Sequence, residues 1–197
     1  MTKIKTLSRY MKRRTRDRLR LHFDLSTDQH IEDGKNWYAT AHHKVIMFSG
    51  TYVMEPIVVA SILSALSPRN KWERNLIDTE NVIKAFKNRE DPDSVKVCTF
   101  NTNKYKAFAI ANGKTKIEQT SRKTYSFVQN IANLCEEHVT IDVWMLRAMF
   151  GKTVKQGLTP SRYDELVDII LDEASKVGLL GYQYQAIIWE CIRERNI

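Results

Sequence analysis

Glycine and proline are scarce in this chain, seven and four among 197 residues, and no segment alternates apolar and polar residues for long enough to read as a strand. A sheet protein of this length needs both turn residues and that alternation, so their lack leaves an all-α fold. The three cysteines, Cys98, Cys135 and Cys191, lie far apart without a CxxC pair, which excludes a disulfide framework and gives no spacing for zinc or an iron–sulfur cluster. No metal and no cofactor are expected, and a reducing, intracellular compartment fits. Apolar runs fall short of the roughly 18 residues of a membrane span, and no secretory signal opens the chain. A soluble, cytoplasmic protein without a membrane partner is expected.

What is present is positive charge in one place. The net charge is +8, and residues 1–25 hold nine basic side chains (Lys3, Lys5, Arg9, Lys12, Arg13, Arg14, Arg16, Arg18, Arg20) against Asp17 and Asp24. The rest of the chain is almost neutral. Such density is the footprint of phosphate-backbone contact, in which each neutralised phosphate releases counterions. DNA is therefore the expected partner of a basic N-terminal arm, residues 1–27, with Lys12, Arg13, Arg14 and Arg16 as contacts. An anionic membrane surface and a solvated helix, interrupted by Leu7, Tyr10, Met11, Leu19, Leu21 and Phe23, are the alternatives.

Apolar residues elsewhere recur at helical spacing. A helix is expected over Asp28–Phe48, broken by Gly34 and ended by Gly50. Pro56 opens an apolar stretch through Leu66, too apolar for a surface and so a buried central helix. Further helices are expected from Lys71 or Trp72, from Asp78 to Phe86, over Asn103–Ala111, Lys123–Cys135 and Val143–Phe150, from Thr159 as N-cap to Val177, and over Tyr182–Arg195. Two helical lobes around a cleft follow, one of residues 28–53 with 139–197 and the other of residues 54–138.

Chemistry points to two helix starts. Arg122-Lys123-Thr124 places an amine, and Asp142 a carboxylate, beside unpaired backbone N–H groups that also attract phosphate. An amine can attack a sugar carbon, and a carboxylate can stabilise a developing oxocarbenium charge or activate a nucleophile. By itself Asp142 would equally serve as the N-cap of its helix.

Three segments in order resemble the helix-hairpin-helix DNA glycosylase superfamily of the endonuclease III type. These are Ile57-Val58-Val59-Ala60-Ser61-Ile62-Leu63-Ser64-Ala65, Arg122-Lys123-Thr124, and Val139-Thr140-Ile141-Asp142-Val143-Trp144-Met145-Leu146-Arg147. The resemblance implies a Schiff-base role for Lys123, a catalytic role for Asp142, support of the aspartate's helix by Arg147, and a base-flipping wedge at Leu66. The family's glycine-rich hairpin is replaced here by Ile117-Glu118-Gln119-Thr120-Ser121, and its histidine by Trp144. Thr-Ile-Asp-x-Trp with Tyr184-Gln185-Ala186-Ile187-Ile188-Trp189 also looks like small bacteriophage glycosylase-like proteins, some tied to thymine hypermodification. Host-cell cytoplasm would then be the location.

Arg69, Lys71 and Trp72 form a second expected DNA surface, with an aromatic ring among cations suited to an unstacked base. Arg122 and Thr124 join it as phosphate contacts. Trp37, Tyr38, Trp144 and Trp189 read as core or lobe-interface residues, with Trp37 and Tyr38 also able to line a base pocket. The expected function is a DNA-binding, glycosylase-like enzyme acting on a flipped base. A transferase of DNA-base hypermodification and a catalytically silent DNA-binding module are its rivals.

Overall fold

The computed structural model describes residues 6–152 and 158–195, and they are all-α. Nine helices follow in order: α1 Arg9–Asp24, α2 Asp28–Tyr52, α3 Pro56–Leu66, α4 Trp72–Lys87, α5 Asn101–Ala111, α6 Arg122–Asn133, α7 Val143–Phe150, α8 Pro160–Lys176 and α9 Gly181–Glu194, with a 3-10 turn at Pro92–Ser94 between α4 and α5. The chain divides into two units, Met1–Thr40 with Leu134–Ile197, and Ala41–Asn133.

The boundary falls inside α2 rather than after it. Ala41 and Val45 are buried, the His42 ring Nδ1 meets the Ile131 carbonyl of α6 at 3.0 Å, and the Tyr52 hydroxyl donates to Glu80 of α4 at 2.6 Å. These ties assign the second half of α2 to the middle unit. Gly34 does not break the helix, and Gly50 does not end it. A Cβ at Gly34 would lie 2.5 Å from the backbone nitrogen of Ile187, so the glycine serves the close approach of α9. Val53, at φ +47, makes the left-handed stop.

In the unit that holds both termini, the basic segment is a packed helix and not a detached arm. Ser8 caps α1, its hydroxyl accepting from the Met11 N–H, and Thr15, Leu19 and His22 are buried along one side. Leu19 is fully enclosed in a cluster with Met145, Met149, Leu166, Ile170, Tyr184 and Ile188 from α7, α8 and α9. Burial of this stripe, rather than the charges, fixes α1 in place. Much of its charge is turned to internal use. Lys12 pairs with Glu165 at 3.4 Å, Arg16 with Asp172 at 3.4 Å, and Arg20 with buried Glu173 at 2.5 Å. Arg18 donates to the Ala148 carbonyl at 2.7 Å, satisfying an orphan acceptor at the end of α7. Lys3 and Lys5 lie outside the described residues.

The middle unit is built on α3, whose residues Val59–Leu66 are buried against α4, α5 and α6. Pro56 occupies the first turn, as expected of a proline whose missing N–H costs nothing there. Asp78 does not open a new helix. It sits in the second turn of α4, fully buried, and accepts from Arg74 Nε at 2.9 Å, Asn70 Nδ2 at 2.9 Å and the Cys98 N–H at 2.7 Å. A buried carboxylate needs such donors. Asp78 thereby ties the loop before α4 to the loop before α5.

Candidate carboxylate site and nucleic-acid surfaces

The carboxylate site forms in the unit that holds both termini, where the chain runs from buried Val139 to Ile141 and then into α7. The Tyr163 hydroxyl of α8 donates to the Val139 carbonyl at 2.8 Å and accepts from the Ile141 N–H at 2.9 Å. One phenol thus satisfies both backbone groups of a non-helical, buried segment, as a neighbouring strand would. Asp142 follows as the N-cap of α7, with extended backbone at φ −96 and ψ −173.

Three N–H groups hold its carboxylate. Oδ1 accepts from the Trp144 and Met145 amides, both at 2.9 Å, and Oδ2 from the Trp189 indole Nε1 at 3.0 Å. The side chain is half-buried. Trp189 is itself braced: Trp37 meets it edge-on at 5.8 Å between centroids, and the Arg193 guanidinium lies 4.1 Å over its ring. Arg147 stacks in the same way on Trp144 at 4.6 Å. Sequence reasoning placed Trp189 in the core and missed its bond to Asp142. The spacing of α7 and α9 in the chain carries no sign of it.

Tyr38 is not a pocket wall. It is 3% exposed and donates to Gln185 Oε1 at 2.7 Å, and burial pushes its phenol far above the ordinary value despite a hydrogen bond with Thr140. Trp37 is half-buried between Tyr38 and Trp189. Leu66 is fully buried in α3, so its side chain cannot act as a wedge without leaving the core.

In the middle unit, Arg122 and Lys123 open α6. Arg122 donates to the Gln119 carbonyl at 3.3 Å, and the loop before it is anchored by buried Ile117. Lys123 is exposed. The Thr124 carbonyl accepts from Ser64 of α3 at 3.2 Å, so two of the motif segments read from the sequence touch each other. Lys123 and Asp142 belong to different units.

Arg69, Lys71 and Trp72 share one loop and helix start. Arg69 is exposed at φ +57, and its guanidinium lies 5.2 Å over the ring of Phe100, which is 53% exposed. The Thr99 hydroxyl donates to the Pro68 carbonyl at 2.8 Å, which with Asp78 fixes the two loops side by side. Lys71 is exposed as the N-cap of α4, and Trp72 is half-buried. Phe100 was missed, because a lone phenylalanine ahead of a helix carries no sequence signal. On α1, Arg13 and Arg14 face outward, Arg13 making only a 3.9 Å pair with Asp17, whereas Lys12 and Arg16 are engaged with α8.

No curated protein and no solved structure matches the chain. The family model described as a family of unknown function (DUF7178) matches residues 1–196, and the chain belongs to that family.

Proposed function

We propose that the protein is a DNA-binding enzyme that acts on a base turned out of the stack, by N-glycosidic cleavage, with Asp142 as its carboxylate. The observation that carries the reading is the grip on Asp142. A half-buried carboxylate fixed by two amides and one indole is held to a single orientation, as chemistry at a sugar carbon requires. Outward-facing Arg13 and Arg14, with the exposed Arg69 and Phe100 pair and Lys71, supply cations and an aromatic face suited to phosphate and an unstacked base. Lys123, exposed at the first turn of α6, is the candidate amine for a lyase step.

One observation favours a second reading. The two amide bonds to Oδ1 are those of an N-cap, so Asp142 would look the same in a silent DNA-binding module. Nucleoside mass spectrometry separates the readings, on duplexes carrying uracil, hydroxymethyluracil, its pyrophosphorylated form with candidate amines, and oxidised pyrimidines. An abasic product is expected, and borohydride trapping that depends on Lys123 would add the lyase step. A heavier base retained on its sugar would make the protein a hypermodification transferase. DNA binding without any product would leave the silent module.

A further inference from the structure

We infer that Arg147 and Arg193 form an oxyanion-binding pair beside Asp142 that takes backbone phosphates of the nucleic acid. The inference rests on the reading of Asp142 as the reacting carboxylate; it gives Arg147, to which the resemblance assigned only support of the aspartate's helix, a contact of its own, and adds Arg193, which neither charge density nor motif singled out. Both arginines stack on the tryptophans that donate to Asp142: Arg147 on Trp144, whose amide reaches Oδ1, and Arg193 on Trp189, whose indole reaches Oδ2. Guanidinium N–H groups lie in the plane of the group, so stacking occupies the face and leaves all five donors at the edge.

Among the described residues neither guanidinium forms an ion pair or a side-chain hydrogen bond, whereas Arg16, Arg18 and Arg20 of the same unit all do. Asp142 is already met by three N–H groups. Glu190, adjacent to Trp189, feels the pull of Arg193 but makes no ion pair with it among the described residues, and burial, the largest effect, raises its carboxyl above the usual value.

Two planar cations, each resting over an indole and without an ion pair among the described residues, can offer phosphate oxygens a bidentate edge. A carboxylate with cations stacked on the two tryptophans that donate to it suits a ligand that is neutral where it meets Asp142 and anionic beside it, as a nucleotide within a strand is. Loss of the pair should weaken binding without removing the general attraction of the basic helix.

The test measures the affinity of the full chain for a labelled duplex across a salt series, with wild type, Arg147→Ala, Arg193→Ala and Arg193→Lys, alongside thermal unfolding of each. Each alanine variant is expected to lose roughly tenfold in affinity at low salt and to lower the slope of log affinity against log salt by about 0.9. Arg193→Lys should restore the slope but not the full affinity. Slopes equal to wild type, with only melting temperatures moved, would show that the arginines merely cover the indoles and would overturn the inference. If wild type binds no DNA, the proposed function fails and inorganic phosphate, titrated against the Trp144 and Trp189 indole NMR signals, decides the pair separately. Shifts absent from both alanine variants would sustain an anion site, and no shift in wild type would overturn it.

Discussion

Leu19→Ala tests whether the basic segment is a structural helix or an appended arm. Leu19 has no exposed surface and lies among side chains of α7, α8 and α9. Truncation removes three carbons from an enclosed site with many fixed neighbours, a change that costs about 2–5 kcal/mol in well-packed cores. A value of about 3 kcal/mol corresponds to a fall of about 6–12 °C in melting temperature for a chain of this size. Leu21, two residues on and 53% exposed, provides the matched control, and Leu21→Ala should stay within about 0.5 kcal/mol of wild type. Urea unfolding followed by circular dichroism should show a lower midpoint for Leu19→Ala with an unchanged slope. Equal midpoints for the two variants would refute the packing of α1, and the argument that its burial outweighs its charge would go with it.

Gly34→Ala should destabilise by about 1–3 kcal/mol, despite alanine's better helix propensity, because its Cβ would press on the backbone of Ile187; a gain in melting temperature would contradict that contact. His22 is buried, and its pKa is lowered by burial first and Arg18 second, against a backbone contact with Ala148 that raises it. The unfolded chain therefore takes up a proton below about pH 6.5 that the folded chain resists. Its contribution is present above that pH and is lost as pH falls toward the folded value. His22→Asn should flatten stability between pH 7 and pH 5, and a curve parallel to wild type would remove His22 as the cause. Asp78→Ala leaves Arg74, Asn70 and the Cys98 amide without their acceptor and should cost about 3 kcal/mol. In hydrogen exchange it should release the loops carrying Arg69 and Phe100 together, and protection unchanged at Cys98 would speak against Asp78 as their tie.

The helices that could be read from the sequence were those with chemical punctuation. Thr159-Pro160 caps α8, its hydroxyl accepting from the Arg162 N–H, Gly151 ends α7, and Pro56 opens α3. Errors arose where one residue type serves two ends. Asp78 looks like a helix start because carboxylates favour that place, yet three donors brought by the fold hold it in the middle of α4. Gly34 looks like a breaker until Ile187 stands against it. The cations of α1 looked free because their partners, Glu165, Asp172 and Glu173, lie some 150 residues away in the chain. Within the site, Asp142 was legible as a capping carboxylate with a Thr-Ile-Asp lead-in. Tyr163, Trp189 and Arg193 were not, since each acts through a contact that only the packing of α7, α8 and α9 creates.

If Asp142 does chemistry on DNA beyond capping α7, turnover must depend on its charge. Asparagine caps a helix about as well as aspartate, so Asp142→Asn keeps the two amide bonds of the cap while replacing the carboxylate, and gives up the acceptor of the Trp189 indole. Single-turnover product analysis on the best substrate, with affinity for the same duplex measured in parallel, is the most direct test. Asp142→Asn should bind within about threefold of wild type and turn over at least about a hundredfold more slowly, as for loss of an electrostatic catalytic group. An undiminished rate, or product absent from both proteins while both bind equally, would contradict it.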